Sequence, residues 1–460
     1  MGACNSRTRF VGGMRMDTGR GVFGVRKDTV CDMARRQRPM RTSRLLVVCL
    51  ACAVFLTILV SPVAGAAEKT ELTFWSWRTE DIDAYAKFIR VFQASNPDIS
   101  VRFTAFKNTE YNTILATALQ GGTGPDIVQL RSYGGMEALA NAGYLVSLDT
   151  TSVPGLAKFP KDLLKGATNR RDGKVYGVPF AIQTIQVLYN KTIFDKLGLN
   201  EPATWDEFLK LGAALKQHGY IPLANGGKDG WTLETLFGGV APNFYGGNDF
   251  ADAVIAGRTT FNDPRFIYSL RKMLELRPYM PPNFMGVGYT DMQMMFAQEM
   301  AAMMVAGSYE VGTFERLNPN IKIGVFPVPG EKAGEGGYVA VYVDGSYGIN
   351  AASKHKEKAL RFINFLASVE FGQMFADELS QPSAVPGVKP KHPVLAEMLA
   401  LADKKSTPHL MLVGFRFEQP SGSTLLQTTL QGMFSDKLTP EQVAEEIQSG
   451  LAKWYGPFQK

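Results

Sequence analysis

An α/β fold with room for two lobes is predicted by three features of the sequence. The chain has 460 residues, enough for more than one hydrophobic core, and its 45% apolar and 20% charged content is ordinary for a folded globular protein. Strand-like and helix-like runs alternate from Leu72 onward. The stretch Gly173 to Lys191 joins two apolar runs through Pro179 and the polar Gln183. Pro179 cannot donate to a sheet ladder, so a strand begins or bends there, while Ile182, Ile185, Val187, Leu188 and Tyr189 are strand formers. Two readings fit this stretch: a hinge between lobes that close on a ligand, or an ordinary hairpin within one domain.

The first elements follow from periodicity. Leu72-Thr73-Phe74 alternates as a strand and delivers Trp75-Ser76-Trp77-Arg78 to its C-terminal end, where open α/β sheets bind ligands. Ile82, Tyr85, Ala86, Ile89 and Phe92 keep helical spacing until Asn96-Pro97-Asp98, and Ile99, Val101 and Phe103 alternate as a second strand, completing a βαβ unit. Tyr111 to Leu119 forms the next amphipathic helix, and Asp126 to Leu130 a short buried strand whose exit carries Arg131, Ser132 and Tyr133. The intervening Gly121-Gly122-Thr123-Gly124 follows a helix and precedes a strand, the reverse of the order that sets phosphate on a helix N-terminus.

Beyond Gly173 to Lys191, Thr204-Trp205-Asp206-Glu207 is a capping box, which makes Trp205 a packing residue of the first helical turn. The glycine-rich segment Asn225 to Trp231 is a loop able to carry Trp231 to the mouth of a cleft. The methionines between Met292 and Met304 have helix-then-strand spacing and read as core. Ala301 to Ala306 is a buried strand ending in Gly307-Ser308-Tyr309-Glu310, and Tyr338 to Tyr347 alternates around Asp344-Gly345, a turn signal. Ser353 to Ser368 is a helix, and Thr439-Pro440-Glu441-Gln442 caps a last one reaching Trp454.

Charge and cysteine placement narrow the class. Of the formal charge of +6, residues 1–66 contribute 11 Lys/Arg against 3 Asp/Glu, leaving 38 basic against 40 acidic side chains beyond them. A nucleic-acid partner therefore has no compositional support. Arg41 and Arg44 precede an apolar run from Leu45 to Val60 that ends in Ala64-Gly65-Ala66, the pattern of a secretory signal cleaved after Ala66. Met40 would open a signal of normal size, so residues 1–39 are read as lying upstream of the true start. Cys4, Cys31, Cys49 and Cys52 all fall in this region, neither Cys49 nor Cys52 sits in a good lipoprotein box, and a chain beginning at residue 67 would hold no thiol. His218, His355, His392 and His409 lack the i,i+3 or i,i+4 pairing of a zinc helix, and no Gly-x-Ser-x-Gly elbow occurs. No cofactor or metal is expected. A glycosidase, needing only two carboxylates, stays open on these grounds.

Several stretches together, LTFWSWR, GGTGPDIVQL, DGKVYGVPF with VLYNK, ATWDEF, AAMMVAGSYE and LTPEQVAEEIQ among them, resemble extracellular solute-binding protein family 1, the sugar-capturing subunits of carbohydrate ABC importers typified by maltose-binding protein. The resemblance runs nearly end to end beyond the leader. It implies a periplasmic-binding-protein-like type II fold with a multi-strand hinge and a central cleft, residues 67–181 and 338–384 forming one lobe and 182–337 and 385–460 the other. It also implies a monomeric periplasmic protein that is not an enzyme and that delivers a carbohydrate to permease transmembrane subunits.

Carried over by position, Trp75, Trp77 and Arg78 fall where the first strand opens into the cleft, and Asp126, Gln129 and Arg131 along the third. Trp231 and Tyr309 match aromatic positions of the second lobe, with Asp344 and Arg416 on late cleft loops. Gln183 stands where maltose-binding protein has a carboxylate that touches sugar, which puts that ligand in doubt. The competing expectations are a secreted carbohydrate-active enzyme, or capture of a polyol, an amine or a phosphate ester through Arg78, Arg131 and Arg416.

Overall fold

A computed structural model of the chain describes residues 69–459; the expected signal, its cleavage after Ala66 and all four cysteines lie outside them. The period-two alternation of the first strand is realised directly. In β1 (Thr70–Ser76), Leu72, Phe74 and Ser76 are buried while Thr73 and Trp75 lie on the other face. β1 pairs in parallel with β2 (Ile99–Ala105) and β3 (Ile127–Arg131), as a βαβ unit requires. Phe74 anchors the core of this sheet, edge-on to Tyr85, Tyr347 and Phe362 at ring separations of 5.5, 5.7 and 5.9 Å. Each ring so enclosed contributes roughly 1.5–3 kcal/mol of transfer free energy.

The chain then changes sheets within three residues. β4 (Val178–Pro179) is the last strand of the first sheet, and β5 (Ile182–Asn190) the central strand of a second. Pro179 therefore ends one strand, as its missing N–H dictates, and Gly173 to Lys191 is a crossing between sheets, not a hairpin. β5 runs antiparallel to β7 (Ala301–Gly307), β8 (Ile323–Phe326) and β9 (Val339–Val343); β6 (Ile221–Leu223) and β11 (Ser406–Pro408) complete this sheet in the order β11-β9-β5-β7-β6, with β8 beside β5. The first sheet has the order β2-β1-β3-β10-β4, where β10 (Gly345–Ile349) is antiparallel to its neighbours.

The turn expected at Asp344-Gly345 is corrected by this topology. β9 belongs to the second sheet and β10 to the first, so Asp344 is a second crossing and not the tip of a hairpin. Gly345 is needed there for closeness: a Cβ would sit 2.6 Å from both the Leu130 carbonyl and the Trp77 ring. A third passage runs alongside, Ile182 N donating to Pro382 O at 3.1 Å and Ala384 N to Phe180 O at 2.9 Å. The hinge is thus built from three adjacent strands of backbone, and the fold is a two-lobed α/β architecture of the periplasmic-binding type II class with a central cleft.

The second lobe has its own core. Trp205, expected as packing, is buried in the first turn of helix Trp205–Gln217, with its Nε1 donating to Glu275 at 2.6 Å. Met292, Met303 and Met304 are likewise interior, although Met300 is exposed. The helix Pro440–Ala452 begins with the reciprocal Thr439/Gln442 capping box read from the sequence.

Candidate functional site

Parallel strands deliver their C-terminal ends to one side of the sheet, and β1 and β3 place Trp77-Arg78 and Arg131-Ser132-Tyr133 along one wall of a cavity of about 250 Å³. The opposite wall comes from the second lobe: Trp231 in the first turn of helix Gly230–Val240, Tyr309 just after β7, and Tyr342 on β9. Asp344, at the second crossing, and Arg416, just after the helix Leu410–Phe415, also face it. Seven of the expected residues thus converge: Trp77, Arg78, Arg131, Trp231, Tyr309, Asp344 and Arg416.

The cations of the first wall are held differently. Arg78 is enclosed and neutralised locally, its Nε donating to Asp81 Oδ2 at 2.5 Å and its Nη2 lying 3.2 Å from Glu80. Burial pushes the Asp81 carboxyl up to about 6 despite that partner. The Arg131 guanidinium lies 3.9 Å over the centre of the Trp77 ring and donates from Nη2 to Asn108 Oδ1 at 2.5 Å. Burial draws its pKa down to about 10, opposed by the nearby Asp344 charge and assisted by Arg416. Its Nε is enclosed with no protein partner.

In the second lobe the aromatic surface is more open. Trp231 is half-buried and stands edge-on to Tyr289 at 4.5 Å. Beside it, Glu234 Oε1 accepts from Ser423 Oγ at 2.7 Å and its Oε2 from Gln427 Nε2 at 2.6 Å. Glu310, next to Tyr309, is fully buried, and its carboxyl is pushed up to about 7 chiefly by desolvation. Half-buried rings, guanidinium groups and braced carboxylates together suit a solute rich in hydroxyls.

The other four expected residues do not line this cavity. Trp75 points to the opposite face of β1 and packs against Phe106 at 4.9 Å. Asp126 braces the sheet: its Oδ2 accepts from Thr73 N and Oγ1, both at 2.8 Å, and its Oδ1 from Ser353 Oγ at 2.6 Å. Gln129 is buried between Ser76 Oγ at 2.6 Å and Tyr85 OH at 2.9 Å. Gln183 lies under the floor, accepting from Ser308 Oγ at 2.6 Å and donating to Asp344 Oδ2 at 3.3 Å, so that it reaches the cavity only through Asp344.

Sequence reasoning missed Glu80, Tyr133, Glu234, Tyr289 and Tyr342. Tyr133 could have been found, because it exits the same strand as Arg131; it also carries φ 60°, rare for a residue with a bulky side chain. Its hydroxyl accepts the Val343 N–H at 3.3 Å, joining the two walls. Tyr289 arrives on a helix whose local sequence carries no cleft signal. Among the described residues no cluster of three or more His, Cys, Asp or Glu side chains is placed to hold a metal ion.

Comparison with known proteins is consistent with this architecture. Residues 76–372 match the family model for the bacterial extracellular solute-binding protein. The multiple sugar-binding protein of Streptococcus mutans is 28% identical over 335 residues, 70% of this chain and 77% of that protein. The melibiose/raffinose/stachyose-binding protein MelE of Bacillus subtilis is 23% identical over 84% of this chain and 89% of its own length. Among solved structures, a chitin oligosaccharide binding protein superposes with a TM-score of 0.72 at 23% identity, covering 83% of this chain and 98% of that one. The raffinose complex of RafE gives 0.69 at 24% identity, covering 85% and 100%.

Proposed function

The chain belongs to the bacterial extracellular solute-binding protein family, and on that premise we propose that its cavity captures a sugar or short oligosaccharide for delivery to a membrane permease. The observation that carries the reading is the pairing, across one cavity, of the half-buried Trp231 and Tyr309 rings with the guanidinium of Arg131 and the carboxylate of Asp344. Sugars present C–H patches that lie on aromatic faces and hydroxyls that satisfy planar charged groups. Relatives named for sugars support the same ligand class.

The lobes that close are taken as residues 67–181 with 338–384 and 182–337 with 385–460, as expected from the sequence, except that β9 (Val339–Val343), which pairs with β5, is moved from the first lobe to the second. The protein works as a monomer without cofactor or turnover, reaches the periplasm through the signal ending at Ala66, and meets ABC permease subunits there. The test is a thermal-shift panel of mono- and oligosaccharides, polyols, amines and phosphate esters, with product analysis in parallel. A shift of several degrees with one sugar and no product supports capture, because a ligand stabilises by mass action. Release of a hydrolysis product would make the chain a carbohydrate-active enzyme instead.

A further inference from the structure

A contact between the lobes, outside the cavity but joined to it through one backbone segment, bears on how a solute is retained. The residues following Arg416, whose side chain faces the cavity, lie against the first lobe at three points. The Phe417 ring covers the Arg170 guanidinium, with 3.2 Å between the guanidinium carbon and the ring centre. Glu418 pairs with Arg171 Nη2 at 2.6 Å. Gly134, at the start of helix Gly134–Asn141, touches the backbone of Arg416 and Phe417 so closely that any Cβ there would overlap the Arg416 carbonyl.

Arg170 is prepared for this role. The carboxylate of Glu137, a buried residue of the same helix, accepts from Arg170 Nε and Nη2 and from its backbone N–H, each at 3.0 Å. The two-pronged contact fixes the plane of the guanidinium and presents its face to the opposite lobe. The exposed Arg171–Glu418 pair adds little energy of its own.

We propose that Phe417 and Arg170 form an interlobe clasp that positions Arg416 in the cavity and sets how long a bound solute is held. The proposal rests on the capture reading for its ligand arm and on geometry alone for its second arm. Opening the lobes must lift Phe417 off Arg170, and the same displacement withdraws Arg416. Loss of the clasp therefore appears in dissociation and leaves association, governed by the open form, nearly unchanged.

The experiment uses stopped-flow binding with raffinose as probe, on the wild type and on Phe417→Ala, Phe417→Trp and Gly134→Val. Phe417→Ala is expected to dissociate about 5- to 10-fold faster at similar association rate, Phe417→Trp to restore the wild-type value, and Gly134→Val to weaken affinity. The second arm needs no ligand: in the secreted protein carrying Arg171→Cys and Glu418→Cys, a flexible bifunctional thiol reagent is expected to cross-link the two positions, about 5- to 10-fold more slowly when Phe417→Ala is added. Should the wild type ignore raffinose, the cross-linking arm alone decides. Absence of the cross-link, or a rate indifferent to Phe417→Ala, overturns the clasp; so does an unchanged dissociation rate where raffinose binds.

Discussion

The guanidinium of Arg131 rests 3.9 Å above the Trp77 ring, so the tryptophan expected to stack on a ligand has one face already covered by an arginine. Trp77 is only 3% exposed, and Tyr111 and Phe180 flank it at 5.8 Å each. Its task is to carry Arg131, while the open ring surface belongs to the second lobe.

The two tryptophans of the cavity are therefore expected to separate cleanly. Trp231→Ala should lower ligand affinity by about 10- to 100-fold with little change in stability, as loss of an interfacial aromatic anchor does. Trp77→Ala should destabilise by about 3–5 kcal/mol, because it opens a cavity in the first lobe's core. Calorimetric titration and urea unfolding on both variants check the contrast; equal stability losses would contradict it.

Asp126 and Asp344 give a second contrast. Asp126→Ala should cost about 1–3 kcal/mol, since Thr73 and Ser353 lose their acceptor, yet leave affinity unchanged. Asp344→Ala should remove most binding. Gln183→Ala should do both, moderately: it strands Ser308 Oγ and releases Asp344. Denaturation midpoints beside binding isotherms separate the three.

Glu310 carries a pH signature. Its carboxyl, raised to about 7 by burial, binds a proton more tightly in the folded chain than in the unfolded one. The stability this supplies is fully present below the unfolded pKa and is lost as pH rises through about 7. Glu310→Gln keeps an acceptor for Gln293 Nε2 and removes the titration. The variant should gain on the wild type between pH 5 and pH 8, by on the order of 3 kcal/mol. Urea unfolding at those two pH values measures the difference; a gap independent of pH would contradict the assignment.

The site was legible where a strand's end announced it. Trp77-Arg78 and Arg131 follow period-two runs, and Tyr309 follows β7, so their placement at a sheet edge could be read from spacing. Trp75 was lost because two-residue alternation sends it to the outer face of β1, where Phe106 covers it. Gln129 and Asp126 were lost because a polar group inside a sheet is as readily a brace as a contact, and only its partners decide which. Tyr289 and Glu234 lie on helices, where no local pattern marks the face that meets the opposite lobe.

By itself, the sequence determined the elements that local chemistry controls: the alternation of β1, the cap at Thr439, the break at Pro179 and the apolar faces of the helices. Tertiary structure alone decided that Asp344 crosses between sheets instead of turning a hairpin, that Arg131 covers Trp77, and that Phe417 lies on Arg170. Propensity and periodicity act over a few residues, whereas the cavity and the clasp join groups from 77 to 427 and from 134 to 418, brought together only once both cores have packed.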